Sequence, residues 1–329
     1  MILAGDIGGT RARLALFAPK TKGALRQEVF DSRAFPSLDA VLRVFLGLRP
    51  PKITAATFGI AGPVVNNRCT ATNLAWHVDG RTAARKFGIK RVSLVNDLVA
   101  LALGALTVPK SKLLLLQGDV PPKRGGANLA VIAAGTGLGE AALIWDGARF
   151  VPCGTEGGHT DFAPRDDLEI ELLRFLRKRV GGRVSYERVV SGAGLGNVYD
   201  FFREVKHAPE PREVSEGIAR APDRNAAISA AGLEGKSEAS ARAVELFASV
   251  YGAEAGNLAL KMLSTGGVYV AGGIAGSLST LLARGQFMKS FNDKGRFAPL
   301  LERVPVAVVL DRYIGLAGSA YHAIHSTVS

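Results

Sequence analysis

Apolar and polar positions along this chain fall into short blocks whose period keeps changing. Residues 2–6 (ILAGD) are an apolar run and 11–17 (RARLALF) alternate, so both read as strands. Only Ile7-Gly8-Gly9-Thr10 lies between them, which makes a hairpin with a Gly-rich turn. Residues 38–48 have helical spacing, 53–60 read as a strand, 80–87 as a helix and 91–95 as a strand. A polar loop with Asn66, Asn67 and the run Thr72-Asn73-Leu74-Ala75-Trp76 precedes the helix at 80–87. Residues 107–112 read as a connector and 117–127, with Pro121-Pro122 and Gly125-Gly126, as a surface loop. The opening pattern then returns. Residues 128–134 (NLAVIAA) are strand-like, Gly135-Thr136-Gly137-Leu138-Gly139 is a turn, and 140–146 (EAALIWD) is the return strand. Pattern repeats here, not letters. A helix at 166–180, an exposed Pro-rich excursion at 206–224 and a long helix at 237–263 follow. A buried strand at 268–271, paired glycines, a helix at 277–284, a strand at 304–310 and a helix at 311–326 complete the chain.

Three places in this pattern carry chemistry. The first is Leu94-Val95-Asn96-Asp97, where a β-branched strand end meets a polar pair and then the Ala/Leu run of a buried helix. Such a pair has two readings: it caps the helix, or its carboxylate is put to use in a cleft. The second is the pair of Gly/Thr turns, roughly 130 residues apart. Neither has the spacing of a P-loop or a dinucleotide fingerprint, which join a strand to a helix. Each can still offer successive backbone N–H groups and a hydroxyl to a phosphate, and Asp6 can hold Mg2+ through water. The third is Glu156-Gly157-Gly158-His159, too Gly-rich for a stable helix face and read as a loop that brings both side chains to one point. The run Ser191-Gly192-Ala193-Gly194-Leu195-Gly196 is set aside as a dinucleotide motif because its glycines are misspaced.

Composition narrows the classes. Hydrophobic residues at 47% and charged residues at 21% are those of a soluble globular protein. The two cysteines, Cys69 and Cys153, provide no disulfide framework and suit a reducing, cytoplasmic setting. A leader is not expected, since Met1-Ile2-Leu3-Ala4 meets Asp6 at once. No apolar run approaches the roughly 20 residues of a membrane span, so no membrane association is expected. The net charge of +12 raises the question of nucleic acid. Its densest group, Arg174, Arg177, Lys178 and Arg179, follows Asp166, Asp167, Glu169 and Glu171 on one helix, an order the helix dipole favours. With no interleaved aromatics, a solvated helix is expected and no nucleic-acid partner.

With these pieces in hand, the chain resembles the bacterial glucokinase family of the actin-like, hexokinase-type ATPases over nearly its whole length. The segments that carry the likeness are GDIGGT at 5–10, TNLAW at 72–76, NDLVALALGA at 96–105, AGTGLG at 134–139, EGGHTDFAP at 156–164, ERVVSGAGL at 187–195 and AGGI at 271–274. The resemblance implies an α/β, two-domain actin-like ATPase (ribonuclease H-like) fold with an interdomain cleft. Its small domain would hold residues 1–110 plus 311–329 and its large domain 111–310. It implies ATP-dependent phosphorylation of glucose at the 6-hydroxyl, with ATP and Mg2+ as cofactors and a homodimer as the working form. By the same likeness Asp97 is the general base. Asn96, Glu156, His159 and Glu187 hold sugar hydroxyls. Asp6, Gly8, Gly9, Thr10, Arg11, Gly135, Thr136 and Gly137 meet the phosphates and metal, and Gly272 and Gly273 lie near the adenosine. Such sequences usually have Asn where Arg11 stands and Pro where Ala193 stands. A kinase for another hexose or donor is the rival within the superfamily. A sugar-sensing regulator is the rival outside it, and no helix-turn-helix segment supports that.

Overall fold

The computed structural model describes residues 1–18, 23–72, 74–122 and 125–326. Its contacts divide the chain into two compact units: Met1–Pro109 with Val151–Gly154 and Asp311–Ser329, and Lys110–Phe150 with Thr155–Leu310.

The first unit is built on a mixed five-stranded sheet. Its strands are β1 (Ile2–Ile7), β2 (Arg11–Phe17), β3 (Ala24–Asp31), β4 (Ala55–Ile60) and β8 (Arg91–Asn96), in the order β3-β2-β1-β4-β8. β1 pairs antiparallel with β2 and parallel with β4, and β4 parallel with β8. The register sets Ile7, Ile60 and Asn96 in one row, so three strands end level at their carboxyl edge. Every residue of β4 is buried, as expected of a strand covered on both faces. A small sheet of β5 (Val64–Val65), β6 (Arg68–Thr70) and β7 (His77–Asp79) stands where the sequence reads as a loop. Asn73, within the TNLAW segment, lies outside the described residues.

Two helices pack on the sheet and on each other. The helix Asp97–Ala105 crosses the C-terminal helix Ile314–His325 at glycines. A Cβ on Gly318 would stand 1.6 Å from the Ala100 carbonyl oxygen, and one on Gly104 would stand 2.0 Å from that of Ile314. Only glycine permits these backbones to touch. Gly315 likewise leaves room for the Asp6 carboxyl, whose Cγ would be 3.3 Å from a Cβ there.

The second unit repeats the plan. Its strands are β9 (Leu113–Gln117), β10 (Leu129–Ala134), β11 (Leu138–Trp145), β12 (Phe150–Thr155), β13 (Gly267–Ala271) and β14 (Val306–Val309), in the order β12-β11-β10-β13-β14-β9. Again an antiparallel hairpin, β10–β11, is followed by parallel partners, β13 and β14. The helix Glu238–Lys261 is buried along most of its length and lies against this sheet. Among the described residues, no helix is long and apolar enough to cross a membrane.

Several local expectations change. The exposed excursion at 206–224 carries a helix, Arg212–Arg220, and a second helix, Arg224–Leu233, capped by Asp223, begins at its end. The first of them is mostly exposed, which makes its sequence loop-like. The helix expected at 277–284 begins earlier, as two short pieces, Gly273–Ser277 and Ser279–Leu282. The misspaced glycine run 191–196 opens a helix, Gly192–Glu204, with Ser191 as its cap. Of the loop expected at 117–127, residues 123 and 124 lie outside the described residues.

Candidate active site

In the first unit the polar groups collect at the level carboxyl ends of β1, β4 and β8. Asn96 and Asp97 sit where β8 passes into the helix Asp97–Ala105. Asn96 is the cap: its Oδ1 accepts from Leu98 N at 2.9 Å, and its Nδ2 donates to the Gly62 carbonyl at 3.2 Å. Asp97 is the first helical residue, and its Oδ1 accepts from the same Leu98 N at 3.0 Å. Asn96 occupies the cap position, and both side chains accept from one N–H of the helix's first turn. Asp97 is half-buried, and its charge, after burial itself, helps push the Cys69 thiol up from its usual pKa.

The turn Gly8-Gly9-Thr10 closes β1–β2 with a bond from Gly8 N to the Arg11 carbonyl, 3.0 Å. Ser32 braces it twice, donating from Oγ to the Gly8 carbonyl at 2.8 Å and from N to that of Thr10 at 3.0 Å. Thr10 and Arg11 face solvent. Asp6 is register partner to Arg13, which donates to its Oδ2 at 2.8 Å. Burial pushes the Asp6 carboxyl up and the guanidinium pulls it back, with burial the larger effect.

The second unit gathers its candidates at the head of β11. The turn Gly135-Thr136-Gly137 is closed by Gly135 N donating to the Gly137 carbonyl at 2.8 Å. Gly192 N, at the start of its helix, donates to the Gly135 carbonyl at 2.8 Å. Glu187 reaches the same turn: its Oε2 accepts from Leu138 N at 3.0 Å, and a Cβ on Gly137 would lie 2.4 Å from that oxygen. Its backbone is held by Ser191 Oγ, which donates to the Glu187 carbonyl at 2.7 Å. Glu156 and His159 flank a single 3-10 turn, Gly157–His159, rather than an open loop. Both side chains are exposed while Gly158 between them is buried. A Cβ on Gly158 would come 2.0 Å from the Leu138 carbonyl oxygen, so the turn lies on the strand that also holds Glu187. Gly272, at φ 90°, carries the chain from β13 past the end of β10, and a Cβ there would meet the Ala134 carbonyl oxygen at 2.4 Å. Beside Gly273 the space is open. Glu156, His159, Glu187 and the turn 135–137 therefore share one strand end within this unit, with Gly272 beside the neighbouring strand's end.

Comparison with known proteins places this arrangement. The profile of the glucokinase family matches residues 3–326. The chain belongs to the glucokinase family. It is 42% identical to a glucokinase of Synechocystis sp., over 98% of this chain and 98% of that protein. It is 41% identical to one of Nostoc sp., over 97% and 98%. The structure of a glucokinase from an Antarctic psychrotroph superposes with a TM-score of 0.84 at 30% identity, covering 99% of both chains. A glucokinase from Balamuthia mandrillaris in complex with glucose shares the fold, with a TM-score of 0.81 at 22% identity over 98% of this chain and 93% of that one. The α/β two-domain fold of this glucokinase-family chain is the actin-like one that its sequence implies. It is an enzyme of the kinase class, and its place is in carbohydrate metabolism.

Sequence reading passed over two charged residues beside these groups. Arg13 had its signal in the alternation of β2, where a basic residue faces Asp6 across the hairpin. Glu140 is 1% exposed, and its signal was a lone acid in an otherwise apolar strand.

Proposed function

We propose that this enzyme transfers the γ-phosphoryl group of ATP to the 6-hydroxyl of glucose, giving glucose 6-phosphate for glycolysis, with Asp97 as general base. The observation that carries the role of Asp97 is its place: a carboxylate at the end of β8, on the first residue of a helix whose cap is the neighbouring Asn96. A sugar hydroxyl is a poor nucleophile. Asp97 takes its proton as the oxygen–phosphorus bond forms and the bond to ADP breaks, a contribution of about 10²–10⁴-fold. Asn96, Glu156, His159 and Glu187 are proposed to hold the other hydroxyls; carboxylates, an amide and an imidazole supply the mix of acceptors and donors that a sugar needs. Backbone N–H groups of the turns 8–10 and 135–137 are proposed to take the phosphates, and Gly272 and Gly273 to let the adenosine approach the backbone.

Mg2+ is proposed to enter with the nucleotide. Among the described residues no group of three or more His, Cys, Asp or Glu could cage a metal. A single hard carboxylate, Asp6, stands beside the first turn, and one carboxylate with water and phosphate oxygens is the usual donor set for this ion. When bound, the ion would offset the charge that builds on the phosphate oxygens. Arg13 keeps the Asp6 carboxylate oriented in the meantime. The free thiols of Cys69 and Cys153 support a cytoplasmic setting. A homodimer is proposed from the family resemblance and is checked by sedimentation at working concentration.

The deciding experiment is Asp97→Asn. The variant retains size and leaves the Asn96 cap in place. Its thermal midpoint and glucose affinity should match the parent, and kcat should fall about 10²-fold or more. Turnover within a few-fold of the parent would remove Asp97 from the chemistry. Assay of glucose, mannose, fructose and N-acetylglucosamine with ATP tests the choice of sugar.

A further inference from the structure

Behind the turn that bears Glu156 and His159 lies a second acidic pair that no step above uses. Glu140, on β11, and Glu254, on the helix Glu238–Lys261, are 1% and 0% exposed, and the charge of Glu254 acts on the Glu140 carboxyl. Two buried carboxylates close to each other pay a Coulomb cost when both are ionised, and Lys261 brings only one positive charge to the two, so a proton on one of them removes the excess. The partners say which. Both oxygens of Glu254 already accept, Oε1 from Lys261 Nζ at 3.1 Å and Oε2 from Asn257 Nδ2 at 2.8 Å. Glu140 has no such donors, and its Oε1 is buried with no hydrogen-bond partner. The proton therefore belongs to Glu140. In agreement, burial first and the Glu254 charge second push the Glu140 carboxyl up to about 8.

The pair reaches the chain neighbours of the candidate sugar groups from two sides. A Cβ on Gly157 would stand 1.9 Å from Glu140 Oε2, so the backbone between Glu156 and His159 rests on this carboxyl. Asn257 Nδ2, which donates to Glu254, also donates to the Tyr186 hydroxyl at 3.2 Å, and Tyr186 is the residue before Glu187. The strand that carries Glu140 begins at Leu138, whose N–H holds the Glu187 carboxylate. The other titratable groups facing the pair are Lys261 and Tyr251 from the helix of Glu254, and Tyr186 from its 3-10 turn. Lys294, Arg165 and Glu169 act from farther out. Lys261, bonded to Glu254, pulls the Glu140 carboxyl down by less than burial and the Glu254 charge push it up.

We propose that Glu140 and Glu254 are a positioning pair with a single proton, seated on Glu140, and that this proton keeps the Gly157–His159 turn and the Glu187 carboxylate set for sugar binding. The inference rests on the reading that Glu156, His159 and Glu187 hold the sugar. Loss of the proton would leave a negative charge on Glu140, directly under Gly157, beside that of Glu254. The turn would then move off the strand, and the sugar would bind less tightly while Asp97, in the other unit, keeps its chemistry. The effect therefore belongs in KM rather than in kcat.

Glu140→Gln tests this, because an amide keeps the shape and a donor but cannot ionise. In the parent, KM for glucose should rise at least about three-fold between about pH 7 and about pH 9 while kcat changes less than two-fold. In Glu140→Gln that rise should vanish. Melting curves supply a readout apart from activity. A carboxyl whose folded pKa is raised binds its proton more tightly when folded, so it loses the protein stability as pH climbs from the unfolded value toward about 8. The midpoint of Glu140→Gln should consequently gain on the parent over that range. Should that variant not fold, Glu254→Gln removes the neighbouring charge, and the parent's step in KM should move toward acid by about one pH unit. A KM profile for Glu140→Gln that follows the parent, or midpoints that run parallel at every pH, would overturn the proposal. Glu187→Gln is the control: unchanged glucose KM there would overturn the sugar-site reading, and the positioning role with it, whereas the melting curves judge the proton on Glu140 separately.

Discussion

In the hairpin β1–β2 the acid Asp6 lies on the outgoing strand, opposite Arg13, and the two are joined at 2.8 Å. In the hairpin β10–β11 the acid Glu140 lies on the return strand, opposite Ile132. The two hairpins have the same place in sheets of the same plan, yet they balance a buried carboxyl by different means. Asp6 is 20% exposed and Arg13 24%, so the guanidinium can keep water on one side while it pairs. Glu140 is sealed. There a cation would add its own desolvation cost, and a proton is the less costly way to remove the charge. The difference suits the two jobs proposed. A carboxylate that must meet a cation and phosphates has to remain charged and reachable. A carboxyl that only supports a turn can be neutral and dry.

The turns differ in the same sense, and this yields the largest expected effect. In the second unit the Gly157–His159 turn lies directly on backbone. A side chain at Gly158 would run into the Leu138 carbonyl at 2.0 Å, an atom that cannot swing aside. Gly158→Val should therefore cost about 3–5 kcal/mol, read as a large drop in melting midpoint. The first hairpin is open by comparison: a Cβ on Gly8 would meet only the Arg11 carbonyl oxygen, at 3.4 Å. Gly8→Ala should stay within about 1 kcal/mol of the parent. Equal losses at the two positions would break the contrast between a filled turn and an open one.

Next in size is the cation. Arg13→Met leaves Asp6 in place without its partner, at an expected loss of about 1–3 kcal/mol near neutral pH. The pH dependence follows from the sign of the shift. Asp6 is already pushed up from 3.8 by burial, and without Arg13 it would rise further. A carboxyl with a raised folded pKa weakens the fold as pH climbs above its unfolded value. The variant should thus approach the parent in acid, where Asp6 is protonated and needs no cation, and fall behind as pH rises. Urea melts at several pH values measure this. A loss that stays constant with pH would mean that Arg13 acts through packing and not through charge.

These contrasts also show where the sequence could and could not be read. The hairpins were legible because strand, paired glycine and strand is a local pattern, and the helices at 80–87 and 166–180 because Asp79 and Asp166 cap amphipathic runs. The pair Asn96-Asp97 was legible as a junction, but the cap position is set by where the backbone turns from extended to helical, between Asn96 and Asp97, and spacing does not fix that. Strand β3 was missed because most of its residues are exposed and its pairing is to β2 alone, so no apolar face marks it. The helices within 212–233 were hidden by the prolines and charges around them, since their stability comes from partners far along the chain. Glu140 could be seen as an odd letter in an apolar strand. Its partner Glu254 stands more than a hundred residues away, a distance over which one sequence by itself carries no pairing signal.

The smallest expected effect concerns Arg11, where family sequences usually have Asn. Its backbone carbonyl closes the first turn, accepting from Gly8 N at 3.0 Å, and its side chain is exposed at the start of β2. Arg11→Asn leaves that carbonyl in place, so the turn and the melting midpoint should not change. What it removes is one positive charge beside N–H groups proposed to take phosphate. An exposed charge of this kind is worth about 0–1 kcal/mol, or up to about five-fold in affinity. The variant should accordingly raise KM for ATP by a few-fold, leave KM for glucose alone, and lose the difference as salt is added, because screening acts on exposed charges first. The corresponding turn of the second unit has Leu138 in that position, buried and apolar, so no such salt dependence should come from it. A change in KM for ATP that survives high salt would point to a direct, ordered contact with the nucleotide. No change at any salt would leave the first hairpin acting on the nucleotide through its backbone alone, as the second is proposed to do.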